Sequence, residues 1–386
     1  MAAGSTIGTL FKVTTWGESH GKAIGVVADG CPAGLLLCEA DIQALLDRRK
    51  PGQSKFTTQR SESDQVEILS GVFEGRTTGT PISMIVRNRD QRSGDYSEIA
   101  GCYRPGHADY TFDEKFGFRD YRGGGRSSAR ETIGRVAAGA IAEKFLKALN
   151  ISVCAYTRSI GPVEISSGPL APGAEALKAA AENPLCMPDP EAAERAARYL
   201  EERMEARDSA GGVVECVVSG LPAGLGEPVF EKLDANLAKA ILSIGAVKGF
   251  EIGDGFAAAR SSGSENNDGY RMAADGSVVK TANHSGGVLG GISDGSSLVF
   301  RAAFKPTPSI SRPQETVSRT GENMELSIKG RHDPVVVPRA VVVVEAMAAL
   351  TVMDMLLVSM SSRLDMIQLF FQVENVEGAD EEGQIG

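Results

Sequence analysis

Apolar positions along this chain follow two rhythms, and the switches between them mark its elements. Short β-branched runs bounded by glycine, proline or charge predict strands at Ile24 to Asp29 (IGVVAD), Val66 to Phe73, Pro81 to Arg87, Ser152 to Tyr156, Val213 to Ser219 (VVECVVS) and Ser297 to Phe304. Helical spacing predicts helices at Glu39 to Arg49, through Ile133, Val136, Ala137, Ala140, Ile141 and Phe145, and from about Pro228 to Ile244, with Pro190 to Arg207 an exposed charged helix. Ala340 to Met360 (AVVVVEAMAALTVMDMLLVSM) is apolar all round and long enough to span a bilayer. Glu345 and Asp354 would each cost about 2.5 to 3.5 kcal/mol at the bilayer centre, so a buried core or subunit-interface helix is expected instead. Strands and helices mix without strict alternation and several strands join through short glycine turns, which predicts an α+β fold with antiparallel sheets.

The pattern contains an echo. Strand-like IGVVAD leads into GCPAGL (Gly30 to Leu35) and a helix; VVECVVS leads into GLPAGL (Gly220 to Leu225) and another helix. A shared turn flanked by matching elements predicts two related halves around one core. Residues 1–375 are expected to form a single domain and 376–386 a disordered acidic tail.

One segment stands out chemically. Tyr121 to Arg135 (YRGGGRSSARETIGR) runs a glycine hinge into a helix start rich in arginine. Ser128 and Glu131 have capping-box spacing, which places the N-terminus there. Gly123, Gly124 and Gly125 would let an anion approach bare N–H groups. Arginine in a first turn opposes the helix dipole, so Arg126 and Arg130 call for a negative partner. An anion site follows, with a solvated arginine-rich tract as the alternative.

Composition narrows the classes. The chain has 386 residues, 42% hydrophobic and 23% charged, with ample material for a core. A net charge of -10 argues against general nucleic-acid binding, so any basic site is local. Six scattered cysteines without a C-x-x-C pair fit reduced thiols, and the N-terminus has no signal-peptide pattern; a cytoplasmic protein is expected.

Three of the four histidines, His20, His107 and His332, sit in loops among glycine, proline and charge, where groups titrating near neutrality can move protons. A surface histidine bonded to a neighbouring carboxylate is the alternative at each. None has metal-ligand spacing, and no metal is expected. His284 adjoins a glycine run, Gly286 to Gly295, that matches no nucleotide-binding pattern. Arg48, Arg49 and Lys50 end a helix, where cations are favourable in themselves, but Lys55 and Arg60 extend the charge beyond the dipole's reach. Such a loop suits closure over a polyanionic small molecule.

Taken in order, GESHG (17–21), RRKPGQSK (48–55), TTQRSESD (57–64), DQRSGDY (90–96), RPGHADYT (104–111), DYRGGGRSSARET (120–132), AVKGFEIGDGF (246–256), HSGGVLGGIS (284–293), KPTPSI (305–310) and KGRHDP (329–334) resemble the motifs of the chorismate synthase family over nearly the whole chain. The resemblance implies a β-α-β sandwich with helices between two antiparallel four-stranded sheets, assembled as a homotetramer. It implies a carbon-oxygen lyase that removes phosphate from 5-enolpyruvylshikimate 3-phosphate by anti-1,4-elimination, in the last step of the shikimate pathway. Reduced FMN is the implied cofactor, with NADPH a candidate reductant, and no net redox change accompanies turnover. A substrate with a phosphate and two carboxylates explains the separated arginines.

Carried over by motif, His20 is the implied acid toward the flavin and His107 the cation beside the leaving phosphate; Asp333 helps remove the C6 proton through the flavin. Arg49, Lys55, Ser128, Arg130 and Arg135 form the implied substrate clamp. Arg126, Ser127, Ser128, Gly245, Ala246, Gly290, Lys305, Pro306, Thr307, Pro308, Ser309 and Arg331 form the implied flavin contacts. Gly245 and Lys55 depart from the commoner family residues, proline or asparagine and arginine. An FMN-dependent oxidoreductase and an RNA-binding protein using the RGGGR loop are the rival readings.

Overall fold

The computed structural model describes residues 4–52, 54–57, 63–88, 100–122, 124–166, 177, 180, 182–328 and 333–372. Among these, two antiparallel sheets carry the architecture. The first contains β1 (Thr6–Ile7), β2 (Lys12–Gly17), β3 (Ala23–Asp29), β4 (Val66–Ile68) and β5 (Ile82–Arg87), ordered β1-β2-β3-β5-β4. The second contains β6 (Ser152–Ile160), β7 (Val163–Glu164), β8 (Gly212–Ser219), β9 (Val247–Ile252) and β10 (Leu298–Phe304), ordered β9-β10-β8-β6-β7. Each sheet has five strands where the resemblance implied four; the additional ones, β1 and β7, are two-residue edge strands, too short to leave a periodic signal. The run from Val66 to Phe73 also divides, because its end joins a separate small hairpin, 72–73 with 76–77.

The longer helices are α1 (Glu39–Arg49), α2 (Asp109–Phe116), α3 (Thr132–Ala148), α4 (Pro190–Glu205), α5 (Leu233–Leu242) and α6 (Val337–Ser359); two shorter ones span Gly263–Asn266 and Leu364–Phe370. In α4 the Asp189 side chain accepts from the Ala192 N–H and Pro190 opens the first turn, two start signals, while Ala192, Ala196 and Leu200 recur every fourth residue and are buried. α6 is apolar enough to cross a membrane by composition. Every residue from Val337 to Met355 except Arg339 is nevertheless buried, against α1, α3, α5, β6 and β8. Its two acids have internal partners. Glu345 meets Arg48 at 2.7 Å and accepts from the Ala155 N–H at 2.9 Å. Asp354 accepts from the N–H groups of Thr9, Leu10 and Phe11, each at 2.8 Å.

α3 lies on β3 and α6 lies on β6 and β8, and the two helices pack on each other. Gly139 makes that crossing possible: a Cβ there would stand 2.3 Å from the Cβ of Ala346 and 2.7 Å from its Cα. One hydrophobic cluster runs through both sheets and these helices.

The two GxPAGL turns make the same hydrogen bonds. Leu35 N–H donates to the Thr77 hydroxyl (3.0 Å), which donates to the Pro32 carbonyl (2.7 Å), and Gly34 N–H donates to the Thr77 carbonyl (2.8 Å). Leu225 N–H donates to the Ser293 hydroxyl (2.9 Å), which donates to the Pro222 carbonyl (2.6 Å), and Gly224 N–H donates to the Ser293 carbonyl (2.9 Å).

Where α3 meets α6, Glu143 faces Glu345, Arg48 and Lys147, and burial, then the Glu345 charge, pushes its carboxyl from 4.5 up to about 7. The folded protein therefore holds this proton more tightly than the unfolded chain. Its stabilising share is fully present below pH 4.5 and is lost as pH rises to about 7, at most about 3 kcal/mol. Glu143→Gln is expected to raise the melting temperature at pH 8 and to lose that advantage toward pH 5; a difference independent of pH would refute the assignment.

Candidate active site around the start of α3

The chain enters α3 through two short 3-10 turns, Gly125–Ser127 and Ala129–Glu131, so the α-helix begins at Thr132, later than the capping-box spacing predicts. Ser128 does cap, accepting from the Arg130 N–H at 3.3 Å, but it caps the second 3-10 turn. The reciprocal bond is replaced because Glu131 is needed elsewhere. Its carboxylate accepts from the Thr15 hydroxyl at 2.7 Å and from Arg135 Nε at 2.7 Å, and lies 3.7 Å from Arg126. Arg126 also donates to the Gly17 carbonyl (3.1 Å) and to the Thr15 carbonyl and hydroxyl (3.1 and 2.7 Å). Two guanidinium groups thus share one carboxylate.

A second carboxylate does the same for the next pair. Asp64, fully buried, receives Arg49 Nη1 on Oδ2 at 2.6 Å and Arg130 Nη1 on Oδ1 at 3.2 Å. Asn88 accepts from Arg130 Nε and Nη2 (3.1 and 2.7 Å) while donating to the carbonyls of Glu18 and Gly21 (3.0 and 2.9 Å). That amide ties Arg130 to the β2–β3 turn holding His20, whose Nδ1 shares a hydrogen bond with the Ser19 hydroxyl at 3.2 Å. Asp333 accepts from Arg339 Nη1 at 2.5 Å, and Arg339 Nε donates to the Arg49 carbonyl at 3.3 Å.

On the other side, Arg135 donates to the carbonyl and hydroxyl of Ser243 (3.2 and 2.6 Å), at the end of α5. Two residues on come Gly245 and Ala246. Ala246 is left-handed (φ 73°), whereas a Cβ on Gly245 would meet open space, so the strained position in this turn is the alanine. The Ala246 carbonyl accepts from the Lys305 N–H at 2.9 Å, and Lys305 Nζ donates to the Gly106 carbonyl at 2.6 Å. His107 Nε2 shares a hydrogen bond with the Ser309 hydroxyl at 2.8 Å. Burial, then the nearby Lys248, holds the Lys305 ammonium below its ordinary value. Pro306 lies beside Gly211, the Thr307 carbonyl accepts from the Ser209 hydroxyl (2.7 Å), and the buried Thr307 hydroxyl has no protein partner among the described residues.

The loop bearing His107 is closed at its base by Arg104 and Asp109, bidentate at 2.7 Å each, with the Arg104 N–H also on Asp109 at 3.0 Å. Burial pushes the Asp109 carboxyl up, but pairing with Arg104 outweighs it and holds the group below the usual range.

Two expected members lie apart. Lys55 pairs with Glu201 of α4 at 2.5 Å and is two-thirds exposed. Gly290 belongs to a hairpin whose Gly291 carbonyl accepts from Leu233 N–H at the first residue of α5, while Gly245 and Ala246 follow its last. A helix of ten residues separates them by roughly 15 Å. Ser127 donates to the Gly124 carbonyl at 2.7 Å. Arg331, His332, Arg60, Gly123, the motif 90–96 and the acidic tail lie outside the described residues. Sequence reasoning missed Asp64, Asn88, Arg339 and Asp109, whose partners sit in other segments or, for Asp109, across its own loop; the last was signalled only by its place beside His107. A separate cavity of about 360 Å³, lined by Phe11, Lys239, Leu350 and Asp354, opens at the C-terminal half of α6.

At Gly106 (φ 70°) a Cβ would stand 2.6 Å from the Cβ of Pro308. Gly106→Ala is expected to cost about 1 to 3 kcal/mol and to part the His107 loop from Ser309. Unchanged melting temperature and turnover would refute this contact.

Comparison with known proteins accords with this arrangement. A family model described as chorismate synthase matches residues 11–357. Relatives named chorismate synthase are 64% identical over 374 residues in Lachnoclostridium phytofermentans (96% of this chain, 100% of the relative) and 66% identical over 373 in Agathobacter rectalis (96% and 99%). One from Methanosarcina mazei is 55% identical over 356 residues (92% and 96%). A crystal structure of chorismate synthase superposes with a TM-score of 0.76 at 33% identity, covering 95% of this chain and 97% of that one.

Proposed function

The chain belongs to the chorismate synthase family, and from that premise we propose how the residues around α3 carry out the family's reaction. The activity is that of a lyase: phosphate is eliminated from 5-enolpyruvylshikimate 3-phosphate to give chorismate. In the substrate the C3–O bond breaks with its electron pair leaving on phosphate, a proton leaves C6, and a new double bond remains.

One observation carries the assignment of roles. Arg49 is bonded to the turn from Ala129 to Arg135, Asp333 joins it through Arg339, and His20, Ala246, Lys305, His107 and Ser309 lie on short backbone segments tied to that turn or to one another by hydrogen bonds. Arg49, Arg130 and Arg135, with Ser128, would bind and orient the substrate's anionic groups. His107, held by Ser309, would sit as a cation at the departing phosphate, where stabilisation of developing charge matters most. Asp333, oriented by Arg339, is assigned the proton released from C6, and His20 a proton held at the cofactor. Lys55, exposed and paired with Glu201, would reach the substrate only on closure of its loop.

Reduced FMN fits the residues present. Among the described residues the buried Thr307 hydroxyl lacks a protein partner, and it lies in the Lys305 to Ser309 loop beside the strained Ala246 turn. Those groups, with Gly245, Arg126, Ser127, Ser128 and Arg331, would hold the flavin; Gly290 would join them only through a different surface. When bound, the reduced flavin supplies electron density that makes loss of phosphate feasible and recovers it, so that no net oxidation occurs. NADPH remains the proposed reductant.

We further infer that the matched turns mark two halves of a duplicated unit, that helices between the sheets make a β-α-β sandwich, and that residues 1–375 are one domain. A homotetramer in the cytoplasm is proposed, for which exposed Leu364, Leu369, Phe370 and Phe371 offer apolar surface. The net charge of -10 supports the absence of nucleic acid among its partners.

An anaerobic assay with dithionite-reduced FMN is expected to release phosphate from the substrate while the flavin stays reduced; no phosphate release would sink the reading, and flavin oxidation in step with turnover would mark an oxidoreductase. His107→Ala is expected to lose about 100-fold or more in turnover with flavin affinity little changed. Equal losses in both would reject the role given to His107.

A further inference from the structure

Asp64 is placed where one side chain can set the spacing of two others. Each of its oxygens takes one guanidinium, Arg49 at 2.6 Å and Arg130 at 3.2 Å, and none of the carboxylate is exposed. Both arginines have second anchors on different elements: Arg49 Nε donates to the Thr132 hydroxyl at 3.0 Å, and Arg130 reaches Asn88 at 2.7 Å. The carboxylate therefore joins the end of α1 to the turn before α3. Asp64 itself is left-handed (φ 44°), a conformation uncommon outside glycine that persists where the surroundings dictate it.

We propose that Asp64 is a positioning residue that fixes Arg49 and Arg130 relative to each other for the substrate's anionic groups. The inference rests on the assignment of those two arginines to the substrate. Two roles for Asp64 make opposite predictions. As a charge, it weakens the pull of the arginines on an anion, so its removal would tighten substrate binding by Coulomb attraction alone. As a spacer, it holds the guanidinium groups in register, so its removal loosens them, and a displacement near 1 Å at such a site costs up to about 100-fold. Asparagine keeps the volume of Asp64 but turns one acceptor into a donor that faces a guanidinium N–H.

Asp64→Asn is therefore expected to raise the KM for 5-enolpyruvylshikimate 3-phosphate about tenfold or more, with kcat within about threefold and the Kd for FMN unchanged. A KM that is unchanged or lower overturns the proposal, as does a parallel loss of flavin affinity and melting temperature, which would mark a general structural role. If Asp64→Asn fails to fold, Asp64→Glu keeps the charge but moves the carboxylate by one methylene; it should raise KM in the same direction, and an unmoved KM again overturns the proposal. Failure of the wild-type protein to turn over this substrate would instead count against the function, so the two failures are distinguishable.

Discussion

Several guanidinium groups have to gather around the first turn of one helix, where the macrodipole is against them, and the rest of the site depends on how that is achieved. The solution is internal. Glu131 holds Arg126 and Arg135, and Asp64 holds Arg49 and Arg130. A buried charge without a partner would be far more costly than any dipole effect, so these carboxylates are what allow the arginines to be placed before a ligand arrives. Each carboxylate serves two cations, which keeps the guanidinium groups close together and fixed. That is a suitable floor for a ligand with three anionic groups, because little ordering remains to be done on binding.

The same junction ties four helices together. Arg135, at the start of α3, caps the C-terminal end of α5 through the Ser243 carbonyl. Arg339, at the start of α6, donates to the carbonyl of Arg49 at the end of α1. Each of these long helices begins with an arginine that satisfies an orphan carbonyl at the end of a short helix. On the duplication inferred above, these are equivalent bonds. On the roles proposed above, they bring the substrate arginines and the flavin-facing turn to the two sides of one centre, while Gly139 lets the long helices approach closely.

Much of this was legible in the sequence, and the exceptions have physical causes. Strands and helices with strong periodicity, such as Ile24 to Asp29 and Glu39 to Arg49, lie where the pattern places them, because burial of one face dictates both. α6 could be read as a core helix from Glu345 and Asp354 alone, and both acids do accept from buried backbone N–H groups. The arginines of the α3 start correctly signalled a need for negative charge. Sequence could not tell that the protein itself supplies part of it, since Asp64 is close to Arg130 only in space and Glu131 looked like half of a capping box. Lys55 and Gly290 were grouped with the site by motif, yet motif membership carries no information on which end of α5 a loop meets or which carboxylate a lysine finds first.

The central claim is that Asp64 and Glu131 set the arginines in place and that ligands add to this arrangement without dismantling it. A crystal structure with reduced FMN and 5-enolpyruvylshikimate 3-phosphate bound tests it most directly. The account predicts the substrate's anionic groups at Arg130 with both Asp64 bonds and the Glu131–Arg135 bond retained, and the flavin against Lys305 to Ser309. Ligands bound away from the start of α3, or Arg130 leaving Asp64 to reach the substrate, would contradict it.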